Sequence, residues 1–213
     1  MGRADLNRQR ISLFPLGGAV LYPGLQLPLH IFEPRYTAMV LDSMARARMI
    51  GMIQPREDER PGIQRPLFDI GCLGRIAEVE ALDDGHYNLI LEGKSLFRIT
   101  RELDVTTQFR QAEAELIATP EHEALAAVER AAFDNEARRF AAWLGYRVDW
   151  DGVGQLDDTT LVNVVAQIAP FDVASRQALL ESETINERAE LLMQMMRFAT
   201  SRRDPDDNRA TMQ

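Results

Sequence analysis

The chain predicts an α+β fold: a strongly bent β-sheet carrying one helix comes first, and a bundle of helices follows. Three observations carry that expectation. Residues Leu13–Tyr36 (LFPLGGAVLYPGLQLPLHIFEPRY) place four prolines and three glycines among alternating apolar residues, a density of corners that bends a sheet back on itself. Period-two segments then recur as far as Leu116. From residue 119 onward the apolar residues recur every three or four positions, the spacing of amphipathic helices. This change of period divides the chain into a β-rich unit over 1–118, a helical unit over 119–201 and a polar, disordered tail over 202–213.

The elements follow in order. Leu13–Leu16 and Ala19–Tyr22 read as short strands, with corners at Gly17-Gly18 and Pro23-Gly24. In the next strand Leu25, Leu27, Leu29 and Ile31 share one face while Gln26, Pro28, His30 and Phe32 share the other. Pro28 cannot donate to a ladder, which makes this an edge or bulged strand. Strand passes into helix at Glu33: Pro34 suits the first helical position, and Tyr36, Met39, Val40, Ser43 and Met44 follow one helical face. Met49–Ile53 reads as a buried strand and 56–66 as an exposed loop. Arg75–Leu82 and Tyr87–Leu91 form a hairpin through Asp83-Asp84-Gly85-His86, and Phe97–Leu103 and Phe109–Leu116 are two further strands.

In the second half, Thr119-Pro120-Glu121 reads as a helix start, with Leu125, Val128, Ala132, Phe133, Phe140 and Leu144 on one face up to Gly145. Asp157 or Asp158 caps a helix that turns Leu161, Val164, Val165 and Ile168 inward and stops at Pro170. Asp172 opens a short helix through Leu180. Thr184 with Glu187 forms a capping box for a last helix lined by Ile185, Ala189, Leu192, Met196 and Ala199.

Charge and composition exclude several functions. The net charge is −9 and Lys94 is the single lysine among 213 residues, a poor match to the clustered cations that phosphate backbones require. Cys72 is the only cysteine, so no intramolecular disulfide forms and a cytoplasmic location is expected. No apolar run approaches the roughly 20 residues of a membrane helix, and no signal segment is evident. No cofactor or metal is expected either. His30, His86 and His122 are scattered, without a second ligand at a metal-binding spacing.

Two motifs invite chemistry and do not sustain it. Gly93-Lys94-Ser95 resembles the end of a phosphate-cradling loop, but Asn88 stands where that loop needs glycine and the flanks are strand-like, so a sheet turn is expected. Neighbours on a strand point to opposite faces, so Lys94 is badly placed to act as base for Ser95. Glu33 and Arg35 flank Pro34 and are expected to be structural, the carboxylate beside the first helical N–H groups, so that Glu33→Gln costs stability. Met39, Met44 and Met196 fall on core-facing helical positions, whereas Met195 and Phe198 lie off that stripe and offer an exposed contact.

The string LFPLGGAVLYPGLQLPLHIFEPRYTAMV, followed by IGCLGRI over 70–76, LILEGKSLFRI over 89–99 and, more weakly, the stretch 177–192, resembles the N-terminal substrate-binding domain of Lon proteases. That module also occurs in cereblon and in short stand-alone bacterial proteins. The residues carrying the likeness include Pro15, Pro23, Gly24, Glu33, Pro34, Arg35, Tyr36, Gly71 and Gly93. One departure is Leu96, where the family usually has arginine before the phenylalanine; here Arg98 follows Phe97.

The resemblance implies a PUA-like pseudobarrel for the first unit and a stand-alone, non-enzymatic chain without ATPase or protease segments. It also implies recognition of polypeptides, as unfolded or damaged clients, with delivery to a protease or chaperone. Such recognition needs an apolar groove or an open sheet edge. Leu25, Pro28 and Phe32 on the edge strand, with Met195 and Phe198, are the residues expected to provide it. The rival readings are an RNA- or small-ligand-binding module, by analogy with PUA-like folds, an enzyme with a pocket between sheet and helices, which no acid-base pair or nucleophile constellation supports, and a structural homo-oligomer.

Overall fold

The structure, a computed structural model, describes residues 8–56, 65–118, 120 and 123–201. The expected tail, Thr119, Glu121 and His122 of the expected helix start, and residues 57–64 of the expected loop lie outside the described residues. Contacts divide the chain into two compact units: the described residues up to 120 together with 167–181, and those of 123–166 together with 182–201.

The first unit contains β1 (Arg8–Pro15), β2 (Gln26–Ile31), α1 (Pro34–Met44), β3 (Met49–Ile53), β4 (Ile70–Ala81), β5 (Tyr87–Glu102) and β6 (Gln111–Ile117). The six strands run in the order β2-β5-β4-β3-β1-β6, and a further β5–β6 pairing closes the sheet on itself. Only β1 and β3 run parallel among these pairs. The expected bent sheet is therefore a small barrel with β2 appended.

Closure depends on β5. Its first part, Tyr87–Glu92, pairs with β2, and its second part, Leu96–Glu102, pairs with β6. Between them Gly93 pairs with Gly74 and Ser95 with Leu73, which leaves Lys94 as the extra residue of a β-bulge. The turn expected at Gly93-Lys94-Ser95 is thus a bulge inside one strand, and the two strands expected over 87–91 and 97–103 are one. A bulge bends the strand without breaking its ladder.

The bend accommodates a second backbone. A Cβ on Gly93 would lie 2.0 Å from the Tyr22 carbonyl oxygen. Gly93 donates its N–H to the Leu25 carbonyl at 2.8 Å, and Gly24 donates to the Gly93 carbonyl at 3.0 Å. Val20, Leu21 and Tyr22 are buried there without forming a strand, because this backbone approaches β5 at the bulge instead of pairing along an edge. That corrects the strand expected over Ala19–Tyr22. The Pro23-Gly24 corner holds, with φ +81 at Gly24.

The barrel interior is filled by Ile11, Leu13, Ile53, Leu67, Leu73, Phe97, Ala112 and Ala114. Phe97 takes the room that a side chain at Gly71 would need: a Cβ there would come within 2.7 Å of the ring and 2.3 Å of the Met52 carbonyl oxygen. On α1, Tyr36, Met39, Val40 and Ser43 turn inward as the spacing predicts. The Tyr36 ring meets Phe14 edge-on at 4.5 Å and its hydroxyl donates to the Pro15 carbonyl at 3.3 Å. Glu33 occupies the N-cap position with no side-chain cap hydrogen bond. Its carboxylate instead accepts from Arg35 Nε at 2.9 Å and Nη2 at 2.6 Å in an exposed pair, so the stability expected from a capping Glu33 shrinks to below about 1 kcal/mol.

Residues 167–181 sit inside the stretch that the change of period assigns to the helices, yet they cluster with the sheet. A buried amide pair, Gln177 on α5 (Val173–Glu181) and Gln54 just after β3, explains this. Gln177 donates to the Ile70 carbonyl at 3.0 Å and accepts from Gln54 Nε2 at 3.1 Å. Gln54 also donates to the Val173 carbonyl at 3.1 Å and accepts from the Gly18 N–H at 3.2 Å.

The second unit contains α2 (Ala127–Leu144), α3 (Trp150–Val153), most of α4 (Asp158–Ile168) and α6 (Ile185–Ser201). α2 begins at Ala127 because the chain before it is held by the start of α4: Leu125 N–H donates to Asp158 at 2.8 Å and Glu123 N–H to Thr159 at 3.2 Å. Val128, expected inward, is 82% exposed. In α4 the buried residues are Leu161, Val162, Asn163 and Ala166, while Ile168 is exposed. The inward face is rotated from the expected one because Asn163 belongs to it, accepting from Arg188 Nη1 at 2.8 Å. The capping box is present: Glu187 N–H donates to Thr184 Oγ1 at 3.2 Å and Thr184 N–H to Glu187 Oε2 at 3.3 Å. No helix among the described residues is long and apolar enough to cross a membrane.

Two stability predictions result. Gly93→Ala forces a methyl group onto a backbone carbonyl and is expected to cost about 3 kcal/mol or more, measured by urea unfolding; a loss within 1 kcal/mol would rule out the close approach. Burial pushes the Cys72 thiol from 9.0 up to about 12, so the folded chain keeps its proton where the unfolded chain loses it. Stability contributed by this group is full below pH 9 and declines as pH rises toward 12. Native Cys72 should accordingly resist thiol reagents at pH 7–9 and react on unfolding.

Candidate functional site

β2 is an edge strand, paired only with β5 among the described residues. The Gly93 N–H bond to the Leu25 carbonyl sets the phase of this ladder, turning the backbone groups of Gln26, Pro28 and His30 to the free edge. That edge lacks two of its outward groups. Pro28 has no N–H, and the Gln26 carbonyl accepts from Gln167 Nε2 at 2.8 Å, two devices that discourage strand addition.

The side chains offer more than the backbone. Two rows cross β2, β5 and β4 on the outer face: Pro28, Ile90 and Glu78 in register, and His30, Asn88 and Glu80. The register shift between Ile76 and Glu78 brings the two glutamates into these rows. His30 Nδ1 lies 2.9 Å from Asn88 Oδ1, and Asn88 Nδ2 donates to Glu80 at 3.2 Å. Phe32, 58% exposed, stacks on His30 with centroids 6.0 Å apart, and the His86 ring stands 5.5 Å from His30 and 6.3 Å from Phe32. His86 is held in the hairpin turn by Asp84, its backbone N–H donating to Oδ1 at 3.0 Å and Nδ1 lying 2.9 Å from Oδ2.

These rows line a shallow groove of about 620 Å³ that includes Pro28, His30, Glu78, Val79, Asn88 and Ile90. An apolar floor beside two exposed carboxylates suits an extended segment carrying apolar side chains and a nearby cation.

Of the residues singled out from sequence, Pro28 and Phe32 share this outer face. Leu25 is half-buried in the opposite phase with Leu27 and Leu29. Met195 is half-buried and Phe198 is 60% exposed on α6 in the second unit. His86 and Ile90 escaped sequence reasoning, because only the strand register sets Ile90 beside Pro28 and only ring packing sets His86 against His30. The one available signal was the Asp-Gly turn, which carries His86 back toward β5.

Other reactive groups are occupied structurally. Lys94 pairs with Glu92 at 2.5 Å. The Ser95 hydroxyl faces the carbonyls of Leu96 and Ile117 at 2.9 and 3.1 Å, and the Cys72 thiol is buried. Among the described residues no group of three or more His, Cys, Asp or Glu is arranged to hold a metal ion.

Comparison with known proteins matches residues 10–197 to the family described as the ATP-dependent protease La (LON) substrate-binding domain. The Lon protease of Escherichia coli strain K12 is 26% identical over 201 residues, covering 89% of this chain and 25% of that protein. Lon protease 2 of Sorangium cellulosum is 26% identical over 202 residues, covering 87% and 24%. The chain therefore spans about a quarter of the length of these relatives. Among solved structures, the Lon N-terminal domain protein from Xanthomonas campestris superposes with a TM-score of 0.66 at 22% identity, over 87% of this chain and 98% of that one. The N-terminal domain of Mycobacterium avium complex Lon protease gives 0.66 at 18% identity, over 89% and 98%. With the barrel and its helices shared with these domains, and the family match running from β1 to α6, the chain belongs to the Lon substrate-binding domain family.

Proposed function

We propose that this protein is a non-catalytic recognition module for polypeptides, acting in the cytoplasm on unfolded or damaged chains that it passes to a protease or chaperone. The observation that carries this reading is the groove beside β2, where Pro28 and Ile90 lie next to the carboxylates of Glu78 and Glu80 and exposed Phe32 stacks on His30, one of the lining residues. Family membership supports it, since the family is described by substrate binding.

Recognition is by side chains. The blunted edge of β2 leaves few backbone groups to pair with a client strand, so affinity comes from burying apolar side chains in the groove. The acids on its rim favour clients in which a lysine or arginine neighbours an apolar residue, a common pattern in unfolded chains. Met195 and Phe198 on α6 form a second, independent contact in this proposal.

The test is binding of a reduced, alkylated and permanently unfolded protein, followed by fluorescence anisotropy. Phe32→Asp removes an exposed ring worth about 1 kcal/mol when half covered, so affinity should fall about fivefold or more while the melting temperature stays unchanged. Equal affinity in the variant would remove the groove from the reading. A crosslinked pull-down should recover a protease or chaperone with the native protein and lose it with the variant.

A further inference from the structure

A second cavity of the first unit, about 400 Å³ in volume, has chemistry opposite to that of the groove. Arg35, Arg65 and Arg110 line it together with Tyr36. Arg110 is held rigidly: its Nε and Nη2 grip the Glu102 carboxylate, with Nε to Oε2 at 2.9 Å and Nη2 to Oε1 at 2.5 Å, and its Nη1 donates to the Arg65 carbonyl at 2.8 Å. Arg35 is fixed by Glu33, and its guanidinium lies 4.6 Å over the Tyr36 ring. Its Nη1 group makes no hydrogen bond among the described residues. Guanidinium groups already oriented lose little freedom when they bind an oxyanion.

Charge narrows the ligand. Three arginines line the cavity, and among the described residues two of them pair with carboxylates, Glu33 and Glu102, leaving one positive charge while the whole chain carries −9. A single uncompensated cation suits a monoanion better than a phosphate dianion. Gln108 adds a polar group to the wall, and Pro15, Pro55 and buried Phe109 form an apolar part of it able to receive one aliphatic side chain. A monoanion joined to an apolar side chain is what the last residue of a polypeptide presents.

We propose that this cavity binds the C-terminal carboxylate of a polypeptide, with Arg35 and Arg65 clamping the carboxylate, Arg110 fixing the local charge, and the terminal side chain resting against Pro15, Pro55 and Phe109. The inference rests on the polypeptide reading above and adds a substrate class to it: chains whose free C-terminus is exposed. Capture of a terminal carboxylate by oriented donors is an established means of peptide recognition.

The experiment titrates the ¹⁵N-labelled chain with N-acetyl-Ala-Ala-Leu as the free acid, with the same peptide as its C-terminal amide, and with inorganic phosphate. The free acid is expected to shift the amide signals of Gly17, Tyr36, Phe109 and Arg110 saturably, with the amide peptide about tenfold weaker or worse. Arg35→Gln and Arg65→Gln alter exposed side chains, and each should weaken the free acid about tenfold without changing the fold or the response of Phe32 to an unfolded protein. Equal binding of acid and amide overturns the proposal, as does the absence of any shift at these four residues. Shifts confined to His30, Phe32, Asn88 and Ile90 would overturn it while leaving the polypeptide reading intact. Phosphate binding more tightly than the free acid would assign the cavity to free phosphate and overturn it as well. Failure of both peptides together with failure of the unfolded protein to bind would instead defeat the underlying reading.

Discussion

The carbonyl oxygen of Tyr22 occupies the space where a side chain at position 93 would begin, and the architecture of the first unit depends on that contact. β5 can serve two partners along one edge only if it bends between them, and the bulge at Lys94 supplies the bend. The bend brings Gly93 against the Tyr22-Pro23 backbone, which starts the corner into β2. Barrel closure and placement of the edge strand are therefore one event. A side chain at position 93 would push the corner away and release β2 from its ladder, taking the groove with it.

Much of this was legible in the sequence because it follows from local rules. Alternation over Leu25–Phe32, the first-turn proline of α1 and the Thr184/Glu187 box each express a preference of a few residues, and each is found where the pattern puts it. Misreadings occur where a long-range contact overrides a local preference. Val20-Leu21-Tyr22 has strand composition, but its backbone is used against Gly93. The start of α2 is delayed because Asp158 and Thr159 bind the preceding backbone. The face of α4 is rotated because the buried amide of Asn163 counts as a core residue once Arg188 reaches it, and apolar periodicity is blind to such a residue. The groove was legible only on β2, since no pattern within one strand reveals that Ile90 and Glu78 stand beside Pro28.

The same principle explains why residues 167–181 leave the helices. α5 has a weak apolar stripe, so burial of hydrocarbon alone poorly specifies its place. Gln54 and Gln177 specify it instead. Each is almost fully buried, and an amide so placed without partners costs about 1–3 kcal/mol. Their mutual bond, with the carbonyls of Ile70 and Val173 and the N–H of Gly18, is available in one arrangement of these segments. Slipping α5 by a residue would break the three bonds that join it to Gln54 and Ile70. Polar specificity here does what shape does in the barrel interior, where Phe97 over Gly71 permits a single register. In the second unit, Glu136 between Arg139 and Arg197 ties α2 to α6 by the same means.

The client binding proposed for β2 would face a conflict, since the backbone groups that would hold a client would also hold a second copy of the protein. Pro28 and the Gln167 contact to Gln26 resolve it by removing backbone groups from the free edge of β2 while leaving its outer side chains open. Side-chain recognition is weaker per contact but selective: a second β2 would bring its own apolar row and no cation to meet Glu78 and Glu80. The acidity of the whole chain would act in the same direction, because two copies at −9 repel each other whereas a cationic client of the proposed kind would be attracted. Both effects weaken with salt over a Debye length of about 8 Å at physiological ionic strength. In the recognition proposed, the apolar share would then carry more of the affinity, and discrimination between client and self would pass to the shape of the groove.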